Sequence, residues 1–205
     1  MNIRKLIAFA LLIIGSKADA QIARSKLFRD PGIYLGGNWI KGTEVTLVPQ
    51  AWFYLNDFYI EARYNYEDEK SFSTHLGLPI DVPEINMEIT PTVGLVFGNY
   101  EGMSIGLNTE FESPKFSFTT ENQHCFSTFS PNFLFSWLIA TTPIYKNLNA
   151  GASWQYTLEQ SSSVFDVGPM LSFTKNAFEL QFFAYNPWKQ NRYWQFGISV
   201  DLASK

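Results

Sequence analysis

The sequence holds one cysteine, Cys125, and two histidines, His75 and His124. A lone thiol excludes an internal disulfide. Two imidazoles and one thiol are thin material for a structural zinc site, which takes four ligands. After residue 20 no stretch stays apolar for the roughly 20 residues that a bilayer-spanning helix needs, so the body of the chain holds no helical anchor. Bases are also scarce. The chain has 15 Lys plus Arg against 19 Asp plus Glu, the wrong balance for gripping nucleic-acid phosphates.

The N-terminus has a different character. Arg4 and Lys5 precede an uncharged apolar run, Leu6 to Gly15, and Ala18-Asp19-Ala20 follows. This order predicts a cleaved signal peptide over 1–20, export through the Sec pathway, and Gln21 as the first mature residue. The run is too short for an anchor, and no cysteine stands after the cleavage site to carry a lipid. Cleavage removes Arg4, Lys5, Lys17 and Asp19, which leaves 12 bases and 18 acids, a net charge of −6.

In place of long apolar runs there is strict alternation, the period of a β-strand. Phe58, Ile60, Ala62 and Tyr64 alternate with Tyr59, Glu61, Arg63, Asn65 and Glu67. Ile89, Val93, Leu95 and Phe97 alternate with Glu88, Thr90, Thr92 and Gly94, and Trp194, Phe196, Ile198 and Val200 with Gln195, Gly197 and Ser199. Turn residues such as Asn56-Asp57, Lys146-Asn147 and Lys175-Asn176 separate the runs. Strands are expected near 32–40, 43–55, 58–67, 71–79, 85–97, 103–112, 116–121, 132–143, 147–159, 163–173, 177–186 and 192–202, with a loop from Glu121 to Ser130. The expected fold is all-β, an antiparallel transmembrane β-barrel of about twelve strands, or ten if the glycine-rich run at 32–40 and the short run at 116–121 fail. The organisation follows: signal peptide 1–20, a periplasmic N-terminal segment 21–31, and a barrel over 32–205.

A soluble sandwich also alternates, and charge placement separates the two. Every lysine after residue 20 falls in an expected turn, loop or terminus. The acids within expected strands, among them Glu61, Glu88, Glu110, Glu112, Glu121, Asp166 and Glu179, share the polar phase, with Arg63 as its one base. Charges cost up to about 2–4 kcal/mol against lipid, so a membrane barrel turns them inward. Trp39, Trp52, Tyr54, Tyr64, Tyr66, Phe97, Trp154, Tyr185 and Trp194 gather toward strand ends, as interfacial belts require.

The segments Tyr59 to Glu67 (YIEARYNYE) and Glu88 to Gly98 (EITPTVGLVFG), followed later by Tyr185-Asn186-Pro187, resemble a family of Gram-negative outer-membrane β-barrel proteins. The resemblance implies an outer-membrane location and a lumen cluster at Arg63, Asn65, Glu67 and Glu88, and it implies no particular activity. The chain departs from the pattern at Ile139, where an acid is expected after Trp137, and at its last strand, which ends Asp201-Leu202 rather than on an aromatic.

The candidate site is therefore the lumen: Glu61, Arg63, Asn65, Glu67, Glu88, Glu110, Glu112, Asp166 and Glu179, with Arg63 held by carboxylates near Glu61 or by Glu88 on a neighbouring strand. Gly102-Met103-Ser104-Ile105-Gly106 matches G-x-S-x-G, but a nucleophile elbow needs a helix to follow and none is expected. His75 reads as a hydrogen-bonded lumen histidine, and His124 as a loop residue beside Cys125. The expectation is a narrow channel, not an enzyme, with an acidic, cation-preferring lumen and no cofactor or metal. Its partners are outer-membrane lipid, the barrel-assembly machinery and small polar or cationic solutes. A closed structural or interaction barrel with an ion-paired lumen is the alternative, and a lipid- or peptide-modifying enzyme ranks last.

Overall fold

Alternating side chains give most strands one greasy and one polar edge, and the sheet closes so that every wall position has a neighbour on both sides. In a computed structural model, residues 28–40 and 44–202 are described. The expected signal peptide and residues 21–27 lie outside them. Thirteen strands form one antiparallel sheet: β1 (Phe28–Ile40), β2 (Thr46–Leu55), β3 (Phe58–Tyr64), β4 (Phe72–Gly77), β5 (Ile80–Val82), β6 (Met87–Phe97), β7 (Gly102–Glu112), β8 (Ser117–Phe126), β9 (Phe133–Tyr145), β10 (Leu148–Glu159), β11 (Ser162–Lys175), β12 (Phe178–Tyr185) and β13 (Tyr193–Asp201).

Pairing of β1 with β13 and of β4 with β6 closes the sheet on itself. β4 and β5 both lie along β6 and make one broken wall position, so the ring has twelve. The break falls at Pro79, which has no N–H to give; Leu78 donates to the Pro91 carbonyl at 3.1 Å instead. Phe28 at the start of β1 and Asp201 at the end of β13 share one end of the barrel with the tight turns. At Asn56, Lys146 and Asn176 those turns take left-handed φ values of 55°, 39° and 55°. Asparagine adopts that region readily. The far end carries the longer connections 65–71, 98–101, 127–132 and 186–192.

The expected strands are present, with shifted ends. β1 begins at Phe28 and so takes in residues 28–31. β8 runs on to Phe126, so Glu121 lies in a strand and the loop shrinks to 127–132. β3 stops at Tyr64 because Asn65 turns left-handed, φ 59°. That turn cancels the alternation, and Tyr66, expected at the lipid belt, bends into the lumen with Glu67. Trp52, Tyr54 and Tyr185 also face inward rather than joining a belt, because they share the phase of Gln50, Arg63 and Ser172.

Glycines in β1 and β13 make room for rings. Gly36 and Gly197 stand opposite each other, and the Tyr34 ring lies over both. A side chain at Gly197 would come within 2.5 Å of the Tyr34 hydroxyl oxygen. Gly197→Val is therefore expected to overpack the lumen and cost about 1–3 kcal/mol, read as a lower urea midpoint for loss of the compact, heat-modifiable form on gels. An unchanged midpoint would mean that Tyr34 does not occupy this space.

Candidate functional site

Arg63 lies on β3 between Gln50 and Ser73, inward and 3% exposed. Its Nη2 donates to Glu61 Oε2 at 2.7 Å and its Nη1 to Gln123 Oε1 at 3.2 Å. Nη1 also forms an ion pair with Glu121. Glu121 and Gln123 belong to β8, four wall positions away, so the guanidinium bridges the lumen. The Tyr66 ring lies 4.4 Å from Arg63 Cζ, adding a cation–π contact. Arg63 is the one lysine or arginine facing the lumen among the described side chains.

The rest of the waist is aromatic. Tyr34, Trp137, Met170, Phe183 and Tyr185 form a buried cluster. Trp137 Nε1 donates to Ser153 Oγ at 2.8 Å and to the Tyr185 hydroxyl at 3.1 Å, and Ser153 and Tyr185 hydroxyls lie 2.7 Å apart. Phe135 meets Tyr66 edge-on at 5.6 Å, where the aromatic and charged halves join.

The expected site residues divide into separate groups. Glu61 and Arg63 meet, but the second carboxylate is Glu121, not Glu88, because β4 separates β3 from β6 and Arg63 reaches across rather than sideways. Glu67 is buried in the 65–71 connection, 3.8 Å from His75 Nε2, and His75 Nε2 lies 3.0 Å from Ser104 Oγ. Burial pushes the Glu67 carboxyl above the ordinary carboxylate range, against the pull of Arg63. Asn65 does not face Arg63; it ties the connection down, donating to Leu47 O at 2.9 Å and accepting from Lys70 N at 2.6 Å.

Toward the terminal end, Glu88 accepts from Tyr54 at 3.3 Å and Thr90 at 3.0 Å. It stands in register with Glu110 and with Asp81, which the alternation beyond Pro79 would have revealed. Glu88 and Glu110 border a cavity of about 200 Å³, walled by Tyr54, Tyr59 and Trp137 and ending at Glu121. Glu112 is exposed at the end of β7, and Glu179 stands apart on β12. Asp166 belongs to the far rim, accepting from Asn186 Nδ2 at 2.5 Å and from Tyr193 at 3.3 Å. Ser104 is mid-strand, so the G-x-S-x-G match is no elbow. His124 and Cys125 are consecutive on β8, a strand, and so point to opposite faces.

Removing Arg63 leaves two buried carboxylates without their counter-charge. Arg63→Met is expected to destabilise the barrel by about 3–5 kcal/mol, and the triple variant with Glu61→Gln and Glu121→Gln to recover most of it, measured by urea unfolding in detergent. Glu67 has a folded pKa raised above its unfolded value, so its contribution is present at low pH and lost as pH rises through the raised value. Glu67→Gln is thus expected to gain stability over the parent as pH rises above the ordinary carboxylate range, with the gap closing as pH falls below it. A gap that is flat with pH would contradict this.

No protein-family model matches the chain, and no curated protein matches it in sequence. Solved structures do. The KdgM porin aligns at a TM-score of 0.56 and 12% identity, over 83% of this chain and 99% of that one. The KdgM porin in complex with disordered oligogalacturonate gives 0.57 and 11%, over 83% and 99%. The NanC porin gives 0.57 and 8%, over 82% and 98%. The chain shares the closed antiparallel barrel fold of the KdgM and NanC porins.

Proposed function

We propose that the protein is a porin-like channel of the outer membrane, narrow, cation-preferring and throttled at its waist by Arg63. The membrane setting is supported by the outer wall. Val93, Leu95, Phe97, Met103, Ile105, Leu171, Leu180 and Phe182 are each more than two-fifths exposed, far more apolar surface than a soluble monomer tolerates. The first strand begins and the last strand ends, at Phe28 and Asp201, on one side of the barrel, and that side faces the periplasm. Insertion calls on the barrel-assembly machinery, and the surrounding partner is lipid.

The observation that carries the reading is the charge of the lumen. One guanidinium, already bonded to two carboxylates, faces Asp81, Glu88 and Glu110 beyond it. Uncompensated carboxylates favour cations and repel anions in a narrow pore. A polyuronate, the class of ligand in one KdgM structure, carries a carboxylate on each sugar and would meet repulsion here. The solutes expected are small polar or cationic ones.

The burial of Arg63 and Glu61, each 3% exposed, favours a second reading, a closed barrel whose ion pair is a structural plug. Planar-bilayer recording separates the two. The channel reading expects small steps with reversal potentials favouring K⁺ over Cl⁻, larger steps in Arg63→Ala, and weaker cation preference in Glu88→Gln with Glu110→Gln. Silence from both the parent and Arg63→Ala would establish the closed barrel.

A further inference from the structure

The outward phase of the wall is apolar round most of the ring: Leu35 on β1, Val93 and Leu95 on β6, Leu180 and Phe182 on β12, Phe196 and Ile198 on β13. β8 breaks the rule. Glu121, Gln123 and Cys125 face the lumen, so the alternate row Thr120, Asn122 and His124 faces out, bracketed by Phe118 and Phe126. Pairing adds outward Thr109 from β7 and Ser136 from β9.

These side chains form a bonded patch. Thr109 and Thr120 hydroxyls lie 2.6 Å apart, Ser136 Oγ donates to Asn122 Oδ1 at 2.7 Å, and Asn122 Nδ2 reaches Thr120 Oγ1 and Leu107 O, both at 3.2 Å. Asn122 sits midway along β8, opposite Leu107 at the middle of β7, so the patch lies at mid-height of the wall. Beside it the outward row turns small, with Ala140 against Ala152 and Thr142 against Ala150.

We propose that this patch is where a second copy of the chain docks, side by side in the membrane; the inference rests on the membrane reading above. Lipid tails offer no hydrogen bonds, yet an amide and three hydroxyls here hold more donor and acceptor sites than their mutual bonds use. The bonded patch carries neither carboxylate nor ammonium, and the one ionisable side chain of the row, His124, is stacked on Phe126 at 4.3 Å, so a strongly charged partner finds little to pair with. Hydroxyls and amides both donate and accept, so the patch complements itself. A copy inserted in the same direction presents it again about a two-fold axis along the membrane normal, as a closed dimer interface requires. The small residues alongside let the two walls approach.

The test is thiol cross-linking of the full-length protein in membranes. Cys125 is buried and points inward, so the parent is its own blank. Asn122→Cys is compared with Leu35→Cys, which faces out on β1, diametrically opposite β8 in the ring. The expected result is an adduct of twice the mass, several-fold stronger for Asn122→Cys, together with a shift of Asn122→Leu from dimer to monomer by light scattering in detergent. Equal or absent adducts from protein that is heat-modifiable and membrane-integrated would overturn the dimer while leaving the channel reading in place. An adduct of any other mass would overturn the assignment to a second copy. Protein recovered in the soluble fraction would sink the membrane reading and this inference together.

Discussion

A guanidinium taken out of bulk water must find carboxylates, because an unpaired buried charge costs more than a small barrel can spare. Arg63 finds one on its own strand, two residues back, and one on β8 across the lumen. The second contact ties parts of the wall that share no backbone hydrogen bonds. It also organises its surroundings: Gln123 takes an N–H, Tyr66 covers the guanidinium plane, and the left-handed turn at Asn65 brings Tyr66 down to do so.

With the charged half fixed, the opposite half is filled by rings. Trp137, Phe183, Tyr185 and Tyr34 occupy space that twelve strands would otherwise leave to water, and Ser153 takes up the indole and phenol polar atoms. Ring volume has to be accommodated, which accounts for Gly36 and Gly197 beneath the Tyr34 ring. A lumen built this way keeps a carboxylate-lined cavity toward the terminal end and is filled with side chains at the waist. That asymmetry, rather than the barrel itself, gives the molecule its chemical character.

The fold was largely legible because β6 and β13 alternate cleanly between a lipid-like and a lumen-like edge. It faded where the two edges stopped differing. β9 is apolar on both, since Phe133, Phe135, Trp137 and Ile139 fill the lumen while Leu134 and Leu138 face out. β8 is polar on both, so half of it read as loop. The site was legible in composition but not in contacts. Alternation places Glu61 and Arg63 inward, yet which distant carboxylate the arginine reaches depends on barrel width and side-chain length, quantities that no local pattern encodes. Tyr66 was assigned to the wrong face because a single left-handed residue inverts the phase that follows it.

The low identity to the KdgM and NanC porins, 8–12%, has the same physical origin. Closure asks only for alternation, tight turns at one end and paired backbone on every strand. Which polar residue faces inward is free to change, and with it the charge a solute meets. Fold likeness therefore carries little about cargo. The informative residues are those where the two-edge rule is broken: a base among inward acids at Arg63, and an amide on the outward edge at Asn122. Neither is required to close the sheet, so each reports on something the barrel does beyond holding its own fold together.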